Sequence, residues 1–281
     1  MKKLLIISLL AVASFSAHAQ RAVQIVKLGE GRPVLLLPGF ATPGSVWDRT
    51  IKNLGVKCET HSVTYAGFGG IPPVATPWYD QVKSQLVDYC KKHDLRDVLI
   101  IGHSMGGNLA LELAAELPDQ ISGLILIESI PCMRELMMPG VDASSLTYDS
   151  PYNNQVISMS DDAFRQMATN LAQNMTTDPS KVQLITDWTI LADRRTYVYG
   201  YTDLLKLDLR DSLSKISVNA LILGSAFPEK ELVRMNYEKQ YKNLSSKQIM
   251  IADNCRHYVM FDQPDWLEAQ INKYLKPDGS K

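Results

Sequence analysis

The chain has 281 residues, 46% of them hydrophobic and 21% charged, with a formal net charge of −1. That balance belongs to a globular protein and excludes a disordered tail, a collagen-like repeat and a disulfide knot. Acidic and basic residues are mixed along the chain, and no basic stripe is available to neutralise phosphates, so nucleic acid is not an expected partner. The first segment reads as an export signal. Lys2 and Lys3 precede the apolar run Leu4–Val12, and Ala17-His18-Ala19 supplies a small-x-small cleavage site. The run is too short to span a bilayer, and no later stretch is long and apolar enough for a stable membrane span. Residue 20 is Gln rather than Cys, which argues against a lipid anchor. The expectation is a signal peptide at 1–19 and a mature domain at 20–281, exported to a periplasm or secreted.

Beyond the signal, short apolar runs alternate with amphipathic segments. Val34–Leu37, Val98–Ile101, Leu124–Ile127 and Ala220–Leu223 are brief and rich in Val, Ile and Leu, as strands buried on both faces are. Glu59–Tyr65 and Lys247–Ile251 are weaker strands by the same test. Helix-length stretches separate them: Val46–Leu54, Trp78–Leu95, Ser104–Leu117 and Glu229–Lys242. A last one, Trp266–Leu275, starts after Pro264. The order predicts an α/β fold, a mostly parallel sheet with helices on both faces. The rhythm breaks between Cys132 and about Tyr201, a stretch holding six of the eleven methionines, with Tyr148, Tyr152, Phe164, Trp188, Tyr197 and Tyr199 among them. A helical cap inserted at about 132–201 is expected there, its methionines either lining an adaptable pocket or packing the cap onto the body.

The segment Asp97 to Gly107 carries the chemistry. An apolar strand runs into Gly102-His103-Ser104-Met105-Gly106, a G-x-S-x-G pattern, and strong helix formers follow at once. A strand turning directly into a helix strains the serine backbone, and the flanking glycines give its neighbours room. The serine hydroxyl is then held exposed above a helix N-terminus that favours developing negative charge. Ser104 is the expected nucleophile. No CxxC or Cys/His cluster supports a zinc site, and the four cysteines, Cys58, Cys90, Cys132 and Cys255, allow three complete pairings.

On this strand–serine–helix elbow the chain resembles the α/β-hydrolase family, over nearly all of the expected mature sequence and least in the Met-rich insertion. The resemblance implies further roles. Leu35-Leu36-Leu37-Pro38-Gly39-Phe40 is similar to the family's oxyanion loop, which places the two oxyanion-hole N–H groups at Phe40 and Met105, although many members have His-Gly where this chain has Pro38-Gly39. The family's chain order is Ser, acid, His, which points to His257 as general base, after the last strand and before the terminal helix. The acid departs from the pattern. Beyond the strand Ala220–Leu223, where the family usually has Asp, Phe227 stands near the expected place, and a phenyl ring cannot accept an imidazole N–H. Some members take the acid from the strand following the nucleophile strand, and here that strand ends in Glu128, which ranks ahead of Glu229 and Glu231. Asp253 and Asp262 stand too close to His257 in sequence to orient it. Cys132 and Cys255 both fall near the C-terminal edge of such a sheet, and a disulfide between them is expected.

The resulting expectation is an exported serine hydrolase that cleaves a carboxylic ester of a small or medium apolar molecule through an acyl-enzyme. It needs no metal or organic cofactor, and its partner is a small-molecule ester. A peptidase, an amidase or an acyltransferase would use the same residues, and a catalytically silent binding protein of this fold is the reading from another class.

Overall fold

The apolar runs form the central strands of a seven-stranded sheet because each is too short for a helix and apolar on both faces. The computed structural model describes residues 21–276, so the expected signal at 1–19 lies outside the described residues. In chain order the elements are β1 (Val23–Gly29), β2 (Arg32–Leu37), α1 (Asp48–Lys52), β3 (Cys58–Tyr65), α2 (Trp78–Lys92), β4 (Val98–His103), α3 (Met105–Glu116) and β5 (Ile121–Ile127). Five helices then follow without a strand: α4 (Met133–Met137), α5 (Pro151–Ser158), α6 (Asp161–Met175), α7 (Pro179–Leu191) and α8 (Arg194–Lys206). The sheet resumes with β6 (Ala220–Ser225), α9 (Lys230–Gln240), β7 (Lys247–Ala252), α10 (Val259–Asp262) and α11 (Pro264–Leu275). Among the described residues no helix is long and apolar enough to cross a membrane.

Strand order is β1-β3-β2-β4-β5-β6-β7, parallel throughout except for β1, which runs antiparallel to β3 at one edge. The period-2 alternation of a strand divides the core in two. Leu35, Ile100, Leu124, Leu126 and Ile222 face the layer formed by α2, α3 and α9, with Leu86, Leu109 and Tyr237 against them. Leu36, Leu99, Ile101, Ile125, Ile127 and Leu223 face the other layer, against Trp47 and the Leu267, Ile271 and Leu275 stripe of α11. The helices between β5 and β6 reach both layers. Ala172 of α6 and Ile185 of α7 join the α11 side, while Leu204 of α8 joins the other.

β1 is absent from the sequence expectations. Only Val23 on it is buried, Ile25 is half-buried, and Val26 and Leu28 point to solvent, so no buried apolar run announces it. It forms as an edge strand through backbone pairing with β3 from Val23 opposite Tyr65 to Gly29 opposite Glu59. The expected Cys132–Cys255 disulfide is corrected by the structure, in which all four cysteines are buried and free. The reason is the sheet between them. Cys132 exchanges hydrogen bonds with Gln240 of α9, whereas Cys255 packs into the α11-side core and donates its thiol to the Ala252 carbonyl at 3.4 Å.

Candidate active site

Parallel register puts the C-terminal ends of five strands side by side. Leu37 lies opposite Gly102, His103 opposite Ile127, Ile127 opposite Leu223, and Ser225 opposite Ala252. The residues just beyond those ends are Pro38–Phe40, Ser104, Glu128, Ala226–Phe227 and the loop bearing His257, so the fold gathers every expected site residue at one edge.

Ser104 sits between β4 and α3 with φ 53° and ψ −122°, outside the regions that L-residues ordinarily occupy. Such a conformation costs about 1–3 kcal/mol and persists only where the surroundings impose it. Here they do. The Ser104 amide donates to the Ile127 carbonyl at 2.8 Å, continuing the β4–β5 ladder into the turn. A Cβ on Gly106 would stand 2.1 Å from the Leu37 carbonyl oxygen, and one on Gly102 would stand 2.4 Å from that of Gly106, so neither position admits a side chain. The first amides of α3, Met105 among them, have no intrahelical acceptor and lie at the positive end of the helix dipole. Gly39 packs against the elbow so closely that a Cβ there would reach 3.3 Å from that of Ser104. Phe40 follows it, with its ring set among Phe68, Trp78, Tyr197 and Tyr201 at centroid distances of 4.9–5.8 Å, which anchors the loop.

Glu128 repeats the device one strand over. Its φ is 49°, and its amide donates to the Leu223 carbonyl at 2.8 Å. One carboxylate oxygen accepts from the Ser225 amide at 2.6 Å and the Tyr237 hydroxyl at 3.2 Å, while the other faces His257 Nδ1 at 3.4 Å. That last contact is long for a charge-assisted hydrogen bond. The rival acids are spent elsewhere. Glu229 caps α9, accepting from the Glu231 and Leu232 amides at 3.0 and 2.8 Å, and these amides hold its carboxyl below the usual range. Glu231 is exposed on the first turn of the same helix, and neither residue borders the cavity beside Ser104. Phe227 is 49% exposed, with the Arg256 guanidinium 4.8 Å above its ring.

That cavity has a volume of about 270 Å³ and is bordered by Ser104, Met105, Glu128 and His257 at its floor. Met133, Leu136 and Met137 of α4, Leu204 of α8 and Phe227 supply its apolar walls, and Glu128 is the one acidic or basic side chain of Asp, Glu, Lys or Arg type in the lining. The methionines of the insertion thus divide. Met133 and Met137 border the cavity, Met159 and Met167 pack within the insertion, and Met175 packs on the α11-side core.

His103, the residue before Ser104, has no role among the sequence expectations. Its ring is buried, 4.7 Å from that of His257, and its Nε2 lies 2.9 Å from the His257 carbonyl oxygen. A carbonyl only accepts, so Nε2 carries the proton. Nδ1 is then an unprotonated, buried lone pair without a hydrogen-bond partner, pressed toward Gly39. Burial, helped by the neighbouring His257, holds this imidazole well below the ordinary histidine range. Among the described residues the remaining histidines are remote: His61 on β3 contacts Glu59 and the Tyr89 hydroxyl, and the His93 ring lies 4.4 Å from that of Tyr89, tilted by 45°.

The sequence profile described as the alpha/beta hydrolase family matches residues 34–270. The chain belongs to that family. Among curated relatives of this chain is the pimeloyl-[acyl-carrier protein] methyl ester esterase of Aliivibrio salmonicida, 20% identical over 89% of this chain and 94% of the relative. The enzyme of the same name from Nitrosomonas europaea is 29% identical over 45% of this chain, and the match spans about half, 49%, of that relative's length. Solved structures of similar fold include an esterase from Exiguobacterium antarcticum (TM-score 0.75, 19% identity, 91% of this chain and 96% of that one). Another is a bromoperoxidase from Bacillus anthracis (TM-score 0.74, 17% identity, 91% and 95%). At these identities the structures establish the fold alone.

The state of His103 has a consequence for stability. Folding lowers its proton affinity, so the unfolded chain takes up a proton that the native state refuses. The corresponding stability is complete above the unperturbed histidine value of about 6.5 and is lost as pH falls below it. The urea midpoint is expected to be lower at pH 5.5 than at pH 7.5, with the His103 ring resonance remaining at its neutral position in the native state at both. A His103 signal that titrates near pH 6.5 in the folded protein contradicts the assignment.

Proposed function

We propose that this alpha/beta hydrolase is a serine hydrolase that cleaves carboxylic esters of small or medium apolar molecules. The observation that carries the reading is the reach of Glu128 to His257 Nδ1, at the floor of the same cavity that Ser104 borders. With Nδ1 turned to the carboxylate, the Nε2 edge of the ring is the one available to a serine hydroxyl. Ser104 Oγ attacks the acyl carbonyl as His257 takes its proton, and Glu128 stabilises the imidazolium. The N–H groups of Phe40 and Met105 receive the oxyanion, each donor of this kind being worth about 10²–10³ in rate. Collapse of the tetrahedral adduct expels the alcohol, which takes the proton from His257. Water, deprotonated by the same imidazole, then releases the carboxylic acid and restores Ser104.

The substrate class follows from the walls. An apolar cavity of this volume suits an uncharged acyl or alcohol group, and α4 and α8 are the parts of the insertion that wall it. The naming of the Aliivibrio and Nitrosomonas relatives as methyl ester esterases favours ester over amide cleavage. Their substrate is carried on a protein, whereas the lysine pair, apolar run and Ala-His-Ala site of residues 1–19 support export, away from intracellular carrier proteins. A free ester is therefore the proposed substrate of this chain.

Three outcomes test the reading. A fluorophosphonate probe is expected to label wild type and not Ser104→Ala; labelling of neither removes the nucleophile. Glu128→Gln is expected to reduce turnover of a chromogenic ester by orders of magnitude, since the comparable change in a serine protease costs about 10⁴. Near-normal turnover would move the acid elsewhere. Protein recovered from the producing cells is expected to begin at Gln20, and an N-terminal sequence beginning at Met1 would remove the export reading.

A further inference from the structure

Three consecutive residues of the base loop have their main chain pinned from outside the loop. The Arg256 amide donates to Asp262 Oδ2 at 2.7 Å, the His257 carbonyl accepts from His103 Nε2 at 2.9 Å, and the Tyr258 amide donates to the Met175 carbonyl at 2.9 Å. Asp262 is also bound on its far side. It accepts from the Thr176 hydroxyl, from the Thr177 amide at 3.0 Å and from the Asp178 amide at 3.3 Å, all in the turn between α6 and α7. One carboxylate thus ties the corner of the helical insertion to the residue before the base. A side chain reinforces the same seam, Arg256 Nη1 donating to the Gln173 carbonyl at 2.6 Å, while the Tyr258 hydroxyl ties the base loop to the loop after β2 by pairing with that of Thr42 at 2.8 Å.

We propose that Asp262 is a positioning residue that holds His257 in register with Ser104 by stapling the α6–α7 corner to the base loop. The proposal rests on the serine-hydrolase reading above. Four donors converge on two oxygens, an arrangement that suits an ionised carboxylate, whose oxygens accept on all sides and donate nothing. An amide in its place keeps the shape but offers one acceptor oxygen and turns an NH₂ group toward N–H donors. The loop then loses its hold on the Arg256 amide or on the insertion corner. A displacement of about 1 Å at a reacting group is enough to lower a rate about 10²-fold. Asp262 touches neither the imidazole nor the cavity, so its removal alters where the base sits and leaves substrate contacts alone. The insertion is accordingly fixed to the base loop at its α6–α7 end.

The test uses the full mature protein with fluorophosphonate labelling and a short chromogenic ester. Wild type labelled and Ser104→Ala unlabelled first establishes the reading on which the proposal rests; labelling of neither overturns both. With that established, Asp262→Asn is expected to lower kcat about ten- to hundredfold and to slow labelling in proportion, with KM changed by less than threefold. Thr176→Val, which removes one donor from the corner and leaves Asp262 in place, is expected to lower kcat by a smaller factor at unchanged KM. Thermal unfolding of each variant gives the folded fraction by which rates are normalised. The proposal is overturned if normalised kcat and labelling rates of Asp262→Asn equal those of wild type, or if the loss lies in KM alone.

Discussion

The parallel pairing of β4 with β5 is the constraint on which the site depends. It sets His103 opposite Ile127, so the next residue on each strand, Ser104 and Glu128, emerges at the same height on adjacent strands. Both take positive φ, 53° and 49°, and both are held there by an amide that donates to the next strand's carbonyl. Strain at two neighbouring residues costs a few kcal/mol, and it persists because the ladder below leaves the chain no other course. A one-residue slip would exchange the two faces of β4 and carry the serine away from the edge shared with the base loop.

Much of this was legible in the residues, and the reasons differ from element to element. The central strands announce themselves because burial on both faces demands unbroken apolar runs, as in Leu35-Leu36-Leu37 and Leu124-Ile125-Leu126-Ile127. Ser104 is legible because Gly102 and Gly106 are sterically required around it. β1 was not legible, since an edge strand held by backbone pairing leaves no hydrophobic signature. The Cys132–Cys255 pairing failed because proximity to one edge of a sheet says nothing of which face each residue occupies. The bond from His103 to a carbonyl 154 positions later was not legible either, since it depends on tertiary packing that no local spacing encodes.

The insertion is more than a cover over a cleft. Tyr197 and Tyr201 of α8 press on the Phe40 ring, α4 supplies Met133 and Met137 to the cavity wall, and the α6–α7 corner is bound to the loop of His257. One element of about seventy residues therefore touches the loop of Phe40, the cavity beside Ser104 and the loop of His257. Substitutions in it are coupled to all three, so their effects on rate and on specificity are not expected to separate additively.

The position of the acid closes the argument. In the proposed mechanism the carboxylate comes from the end of β5, and the loop after β6 is relieved of that duty. Phe227 and Pro228 in that loop border the cavity instead, where an aspartate would have placed a charge. The exchange is self-consistent because β6 still serves the acid: its last residue, Ser225, donates an amide to Glu128, and Tyr237 from the helix beyond donates a hydroxyl to the same oxygen. Those two donors occupy the oxygen that His257 does not face, which fixes the carboxylate plane and keeps the carboxylate compatible with partial burial. In the proposed mechanism, a carboxylate moved by one strand keeps His257 oriented and leaves Phe227 and Pro228 to extend the apolar lining of the cavity, which suits the uncharged ester proposed as substrate.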